Sequence, residues 1–574
     1  MRVLFLSVSI VAFTVMLACA AEVQRDDATA SGTSDIDPIV ALVDSLCEER
    51  TPPEPDPDSW GMDPDSGRFV HPKATPHQHD PVTFEGELDH WDTNEYIDNM
   101  TVEAYYPWVV EPFHTWQNIV DFGGRRYLYQ YVRRDLGVFD ITNPKDVKKV
   151  YEKGTPWGPE GPGDEVNPYR PGDMFGAASI MWNTELDKMI MVQGFEIRRF
   201  GVIDDKRSRP EQVARHRSAE HLKGFKVYEM SGPLPEEWTL LSERTTDVMH
   251  PNAPVGEQEG SGVRDIPTYF GGKYMLVAAA PDATFALTEY PTDLYSAGYQ
   301  SWDMSNPANP VFLDQFAAPG QRLGDHAAYV ANPRCGNRTS WFGARMSLFV
   351  PTPVEKGGRY GYAAMAGLGL YVLDISDPGN LRAVGHLDFS PNVAGTEGDN
   401  IDVSQVERTG IIYYSGYPLA ESCYEPYKDI YAIDVSDPAN PEMVAMLPRP
   451  TPPPSAPFAD FCQRRGSFGP KRTGYYTQPG TPREGILPYA FYNAGVQIFD
   501  VRDPANAKIV AYFVPPFSED VVEYARGNLA HGIYVEYDRN LVWLFTNHGF
   551  YALSSPVLGE PSFDPPETPW PPRS

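Results

Sequence analysis

Apolar and polar positions in this chain alternate in short runs of strand length, each stopped by turn chemistry. In GLYVLDISDP, at 369–378, Leu370, Tyr371 and Val372 supply apolar, aromatic and β-branched bulk, and Ser376, Asp377 and Pro378 end the strand. The run recurs as DIYAIDVSDP at 429–438, GVQIFDVRDP at 495–504 and GYQSWDMSNP at 298–307. Looser copies are GVFDITNP at 137–144, GFKVYEMSGP at 224–233 and GFYALSSP at 549–556. Between copies the order of segments is constant. A first strand such as LAHGIYVEYD (529–538) precedes a more apolar second one such as NLVWLFTN (540–547). The motif strand is third, and a short fourth follows, as in AKIVAYFV (507–514).

Four strands per unit and seven motif copies predict an all-β fold, a seven-bladed β-propeller with four-stranded blades over 101–556. Asp374 and Asp434 stand 60 residues apart and Asp434 and Asp500 stand 66 apart, one blade each. The 89 residues from Asp140 to Glu229 leave room for an excursion at 204–223, which holds His216 and His221. Little chain is left for a fourth strand after the last copy. TVEAYYPWVV at 101–110 is therefore expected to complete blade seven and remove the open sheet edge. Ahead of the propeller, 21–100 reads as a polar segment, a short helix opened by Asp37-Pro38, and an extended arm rich in Pro, Asp and His. A Pro-rich tail follows at 557–574.

GLYVLDISDP, DIYAIDVSDP and GVQIFDVRDP resemble the LVIVD-repeat family of β-propeller proteins over roughly 113–556. In the last copy Ala552 stands at the Asp position. The resemblance implies a propeller in an exported protein and says little about activity, because fold alone does not give function.

The two ends and the charge agree with export. Arg2, an apolar run over 3–17 and small residues after it form a secretory signal at 1–20, too short for a membrane span. Ala18-Cys19-Ala20 fits cleavage before Ala21, and Met16-Leu17-Ala18-Cys19 resembles a lipoprotein signal that would lipidate Cys19; both remain open. A periplasmic, outer-membrane-anchored or secreted location follows. Cys47, Cys335, Cys423 and Cys462 then permit two disulfides, with Cys423–Cys462 preferred because they lie in consecutive repeats. A formal net charge of −31 argues against nucleic acid and anionic membranes.

The chemistry has to be read against the repeat. Asp140, Asp303, Asp374, Asp434 and Asp500 recur in nearly every blade, so they answer a need of every blade, such as satisfying turn N–H groups. The starts of the first strands differ from blade to blade. Aligned there, the chain offers His114, His250, His326 and His531, with Asn400 at the fifth position. Imidazoles converging on a propeller axis predict a transition-metal site for Fe, Cu, Zn or Mn. Asp325, Glu397 and Asp399 would act beside them as carboxylates orienting the rings. The arrangement is similar, in architecture alone, to the carotenoid cleavage oxygenases, where a seven-bladed propeller holds iron with four histidines. Arg322, Arg465 and Arg472 would meet an anionic substrate, and Trp116 and Tyr329 would wall it. The expectation is an exported metal-dependent enzyme acting on a small organic molecule. Its competitor is a non-catalytic propeller presenting loops to a protein or glycan, with the histidines bonded inside their own sheets.

Overall fold

Seven antiparallel sheets follow one another along the chain, and each of the seven motif copies supplies the third strand of one of them. Blade one is Thr115–Phe122, Arg125–Val132, Asp135–Asp140 and Lys148–Gly154. Blade two is Phe175–Asn183, Lys188–Phe195, Gly224–Met230 and Trp238–Thr245, and blade three is Arg264–Tyr269, Tyr274–Ala279, Gly298–Asp303 and Val311–Phe316. Blade four has Tyr360–Ala364, Leu370–Asp374 and Arg382–Leu387, its innermost strand reduced to a bridge between Phe349 and Tyr362. Blade five is Asn400–Asp402, Ile411–Ser415, Ile430–Asp434 and Glu442–Met446. Blade six, Arg472–Thr473, Ile486–Ala490, Val496–Asp500 and Lys508–Val514, gains a fifth strand, Tyr96–Asp98, on its outer edge. Blade seven is Ala530–Glu536, Leu541–Thr546 and Gly549–Ser554, completed by Thr101–Pro107 as expected.

This computed structural model describes residues 61–62, 69–70, 92–108, 115–132, 135–154, 175–195, 222–254, 257–285, 297–319, 321–323, 343–344, 346–387, 398–416, 418, 428–464, 466–473, 477–517, 530–546, 548–564 and 566–573. The helix expected after Asp37, and the excursion at 204–223 up to its last two residues, lie outside them. Among the described residues no helix is long and apolar enough to cross a membrane. Cys462 is buried and disulfide-bonded, and its expected partner Cys423 lies outside the described residues.

The motif carboxylates act on turns. Asp140, Asp303, Asp374, Asp434 and Asp500 each accept the backbone N–H two residues on, at 2.8–3.1 Å. Three residues further along, Asn143, Asn306, Asp377, Asp437 and Asp503 repeat the bond across the motif proline, whose fixed φ holds the turn. The proline carbonyl is then used by the preceding blade. Tyr129 donates to the carbonyl of Pro233 at 2.7 Å, Ser242 to Pro307 at 2.7 Å and Ser301 to Pro378 at 2.5 Å. A bulge between third and fourth strands recurs in all seven blades, from Val138/Phe139 to Ala552/Leu553. Bulges sharpen strand twist, which suits sheets packed face to face around an axis.

The seam between the last blade and the first carries the densest charge. Arg126 of blade one is fully buried and is held by Asp121 at 2.8 Å, by Asp538 at 2.9 Å and by Glu536 of blade seven. Arg539 binds Glu536 at 2.6 Å and donates to the carbonyls of Ile141 and Thr142. Trp543 adds its indole N–H to Glu536. Burial alone would raise the Glu536 pKa, but Arg539 and Arg126 outweigh it and hold the group at about 2.

Replacing Glu536 by Gln removes the carboxylate that two buried guanidinium groups share, and about 3–5 kcal/mol of stability should be lost in urea unfolding at neutral pH. The lowered carboxyl pKa contributes stability above its unfolded value near 4.5 that disappears as pH falls through about 2. The stability of Glu536→Gln should therefore vary less than wild type across that window. A loss under about 1 kcal/mol would contradict a closing role for the network.

Candidate functional site

Side-chain and backbone hydrogen bonds tie the inner strands to neighbouring blades at several places around the ring. Asn118 donates to the Ala178 carbonyl at 2.7 Å, Ser179 to Tyr269 at 2.9 Å and Thr268 to Leu348 at 2.8 Å. Thr473 donates to the Asp402 carboxylate at 2.7 Å, and the Ala530 N–H donates to the Tyr492 carbonyl at 3.1 Å. The inner edges of these strands therefore surround a common axis.

Trp116 is the hub there. Its indole N–H, from blade one, donates to Asp265 Oδ1 of blade three at 2.5 Å. Those blades are not neighbours, so the two side chains meet on the axial side of blade two. The guanidinium of Arg472, from blade six, lies 5.9 Å from the Trp116 ring centre. It passes Gly532 of blade seven, where an added Cβ would stand 3.7 Å from Arg472 Cδ and 3.9 Å from Gln117 Oε1. Both distances are ordinary van der Waals contacts, so the crossing packs closely against Gly532 without requiring a glycine there. Beside it, Lys471 Nζ pairs with Asp399 Oδ2 at 3.2 Å, both buried, and Asn400 follows, buried as well.

His531 opens the inner strand of blade seven and is 2% exposed, its ring 6.1 Å from that of Tyr492. Burial first, then Lys471 and Arg472, push its pKa down to about 3, so the imidazole is neutral across the physiological range. Of the other expected ligands and orienting carboxylates, His114, His326, Asp325 and Glu397 lie outside the described residues, as do Arg465 and Tyr329. Asp399 is engaged by Lys471.

His250 corrects the alignment of first strands. Its side chain is 62% exposed, in the loop that precedes blade three. Asp247 accepts the N–H of His250 at 2.9 Å and of Glu259 at 2.7 Å, folding this stretch into a turn away from the sheet. The inner strand begins only at Arg264, and Asp265 is its second residue. Sequence reading missed Asp265. The usable signal was the short hairpin: a first strand must end a few residues before the second, here Tyr274–Ala279. Arg322 is also placed otherwise than expected, paired with Asp282 at 3.2 Å and stacked 4.3 Å from the Phe285 ring centre. Among the described residues, no three His, Cys, Asp or Glu side chains are grouped to hold a metal ion.

Residues 355–388, which include the motif strand of blade four, match the LVIVD repeat. No curated protein matches the chain. Among solved structures, Raptor from Chaetomium thermophilum aligns with 81% of this chain and 29% of its own, at 10% identity and a TM-score of 0.41. The N-terminal domain of Nup159 aligns with 81% of this chain and 97% of its own, at 9% identity and a TM-score of 0.40. The chain thus spans less than a third of the Raptor chain.

Lys471→Met should cost about 3–5 kcal/mol in chemical denaturation, because Asp399 is left buried without its countercharge. Adding Asp399→Asn should restore most of the loss. A double variant no more stable than the single one would show that the pair is not an isolated unit.

Proposed function

We propose that this LVIVD-repeat propeller is an exported protein that takes a small polar organic molecule at its axis, against Trp116, Asp265, Asn400, Arg472 and His531. One contrast supports this reading above others. The motif carboxylates recur from blade to blade and cap turns, whereas these buried polar groups each occur once, on the inner strands of particular blades. A group that every blade lacks except one is not answering a structural need of the repeat. Lys471 and Arg472 favour an anionic group at the blade-six wall, and the Trp116 ring offers an apolar face.

A metal-dependent enzyme is the second reading, favoured by the neutrality of His531, since a ligating imidazole must be unprotonated. His114 and His326 would join it, with Asp325, Glu397 and Asp399 orienting the rings. A bound Fe, Cu, Zn or Mn ion would supply Lewis acidity there. The described residues contribute one imidazole to such a set. Two cations beside that imidazole weaken its hold on any metal ion unless carboxylates accompany it.

The test uses the full exported chain. Acetate, succinate and benzoate should raise its unfolding temperature saturably, and Arg472→Met should remove the response while leaving the circular dichroism of the sheet unchanged. Metal analysis should give about one equivalent of Fe, Cu, Zn or Mn in the enzyme reading, lost in a His326→Ala, His531→Ala double variant. Metal-free protein that still answers the acids keeps the site and removes the metal. A chain that binds neither leaves the scaffold reading standing.

A further inference from the structure

We infer that Asp265 is the recognition group for a protonated amine on the molecule bound at the axis. The inference rests on the axial site proposed above and names the chemistry of its ligand. Asp265 is 4% exposed, and one carboxylate oxygen takes the Trp116 indole N–H. The other oxygen, Oδ2, is buried with no donor among the described residues, which offer Asp265 no ion pair either. A buried carboxylate answered only by a neutral N–H is expensive to keep, and native proteins rarely leave one so.

The backbone there is distinctive as well. Asp265 has φ +60°, in the left-handed region that L residues other than Asn and Asp seldom occupy. That conformation coincides with a shift of register between this strand and the next, over Arg264 to Thr268. Here Asp265 is the second residue of the inner strand of blade three, and its side chain meets Trp116 of blade one across blade two. The unanswered buried oxygen thus belongs to a carboxylate held between blades one and three.

The missing partner is a charged donor. A hydroxyl would satisfy the hydrogen bond and leave the charge uncompensated; an ammonium group satisfies both. The neighbouring indole favours a cation as well. A metal ion would need companions, and no three such ligands are grouped among the described residues. At long range, a formal net charge of −31 draws cations toward the protein.

Matched probes test the assignment on the full chain at neutral pH: ethanolamine against ethylene glycol, and benzylamine against benzyl alcohol, by calorimetric titration. Each amine should bind saturably and its alcohol about tenfold or more weakly. Asp265→Asn should keep the fold, because Asn tolerates the left-handed conformation and still accepts the Trp116 N–H, and should lose amine affinity by a similar factor. Equal binding of amine and alcohol, or unchanged amine binding in Asp265→Asn, would overturn the inference. So would a crystal soaked in benzylamine that shows only an ordered water on Oδ2. Acetate is the internal control. Silent amines with an intact, Arg472-dependent acetate response overturn the Asp265 assignment alone, and silence from both removes the axial site with it.

Discussion

Ring closure is the constraint from which the rest of this molecule follows. Seven sheets in sequence leave an open edge at each end of the array, and exposed edges invite wrong pairing. The chain resolves this by laying Thr101–Pro107 on Gly549–Ser554, so that blade seven is built from both ends of the propeller. Charge then locks the same seam. Arg126, Asp121, Glu536 and Arg539 form a buried network in which each guanidinium is met by carboxylate or carbonyl oxygens. Such a network is favourable only when complete, and it can be complete only if blade one meets blade seven.

Closure also explains how residues far apart in sequence come to share one place. Trp116, Asp265 and Arg472 belong to blades one, three and six, and no local pattern relates them. Asp265 and Arg472 both reach Trp116 because the inner strands are held in a circle. The division of labour is clear in residue types. Repeated Asp, Asn and Pro make the turns and the blade-to-blade bonds. Unrepeated Trp, Asp, Lys, Arg and His furnish the axis.

The fold was legible in the sequence because a repeat states its rule many times. Seven copies of a strand ended by a turn and Pro, five of them with Asp at the turn, gave the blade count, and the shortage of chain after 556 placed the closing strand. The turn-capping role of Asp374 and its equivalents was likewise readable from recurrence alone. The axis was legible only in part. His531 and Asn400 lie on inner strands as the alignment of first strands put them, whereas His250 does not. Asp247 gathers the backbone before blade three into a turn, and that extra loop displaced the alignment by more than a dozen residues. Blade four, whose innermost strand shrinks to a bridge at Phe349, and the added strand Tyr96–Asp98 on blade six gave no periodic signal. Both are tertiary accommodations, made by packing and not by pattern.

The most direct test of closure is a cross-link across the seam of blade seven. Ala104 and Ala552 are register partners in adjacent antiparallel strands. Partners of that kind have Cα atoms about 4.5–5.5 Å apart, within reach of a disulfide. Ala104→Cys with Ala552→Cys, oxidised in the full chain, should give an intramolecular bond joining those two sites in peptide mapping. Thermal unfolding should move upward as well, by an amount in keeping with about 2–4 kcal/mol. A double variant that stays reduced under the same oxidation, or links only between molecules, would mean that the two ends of the propeller do not meet.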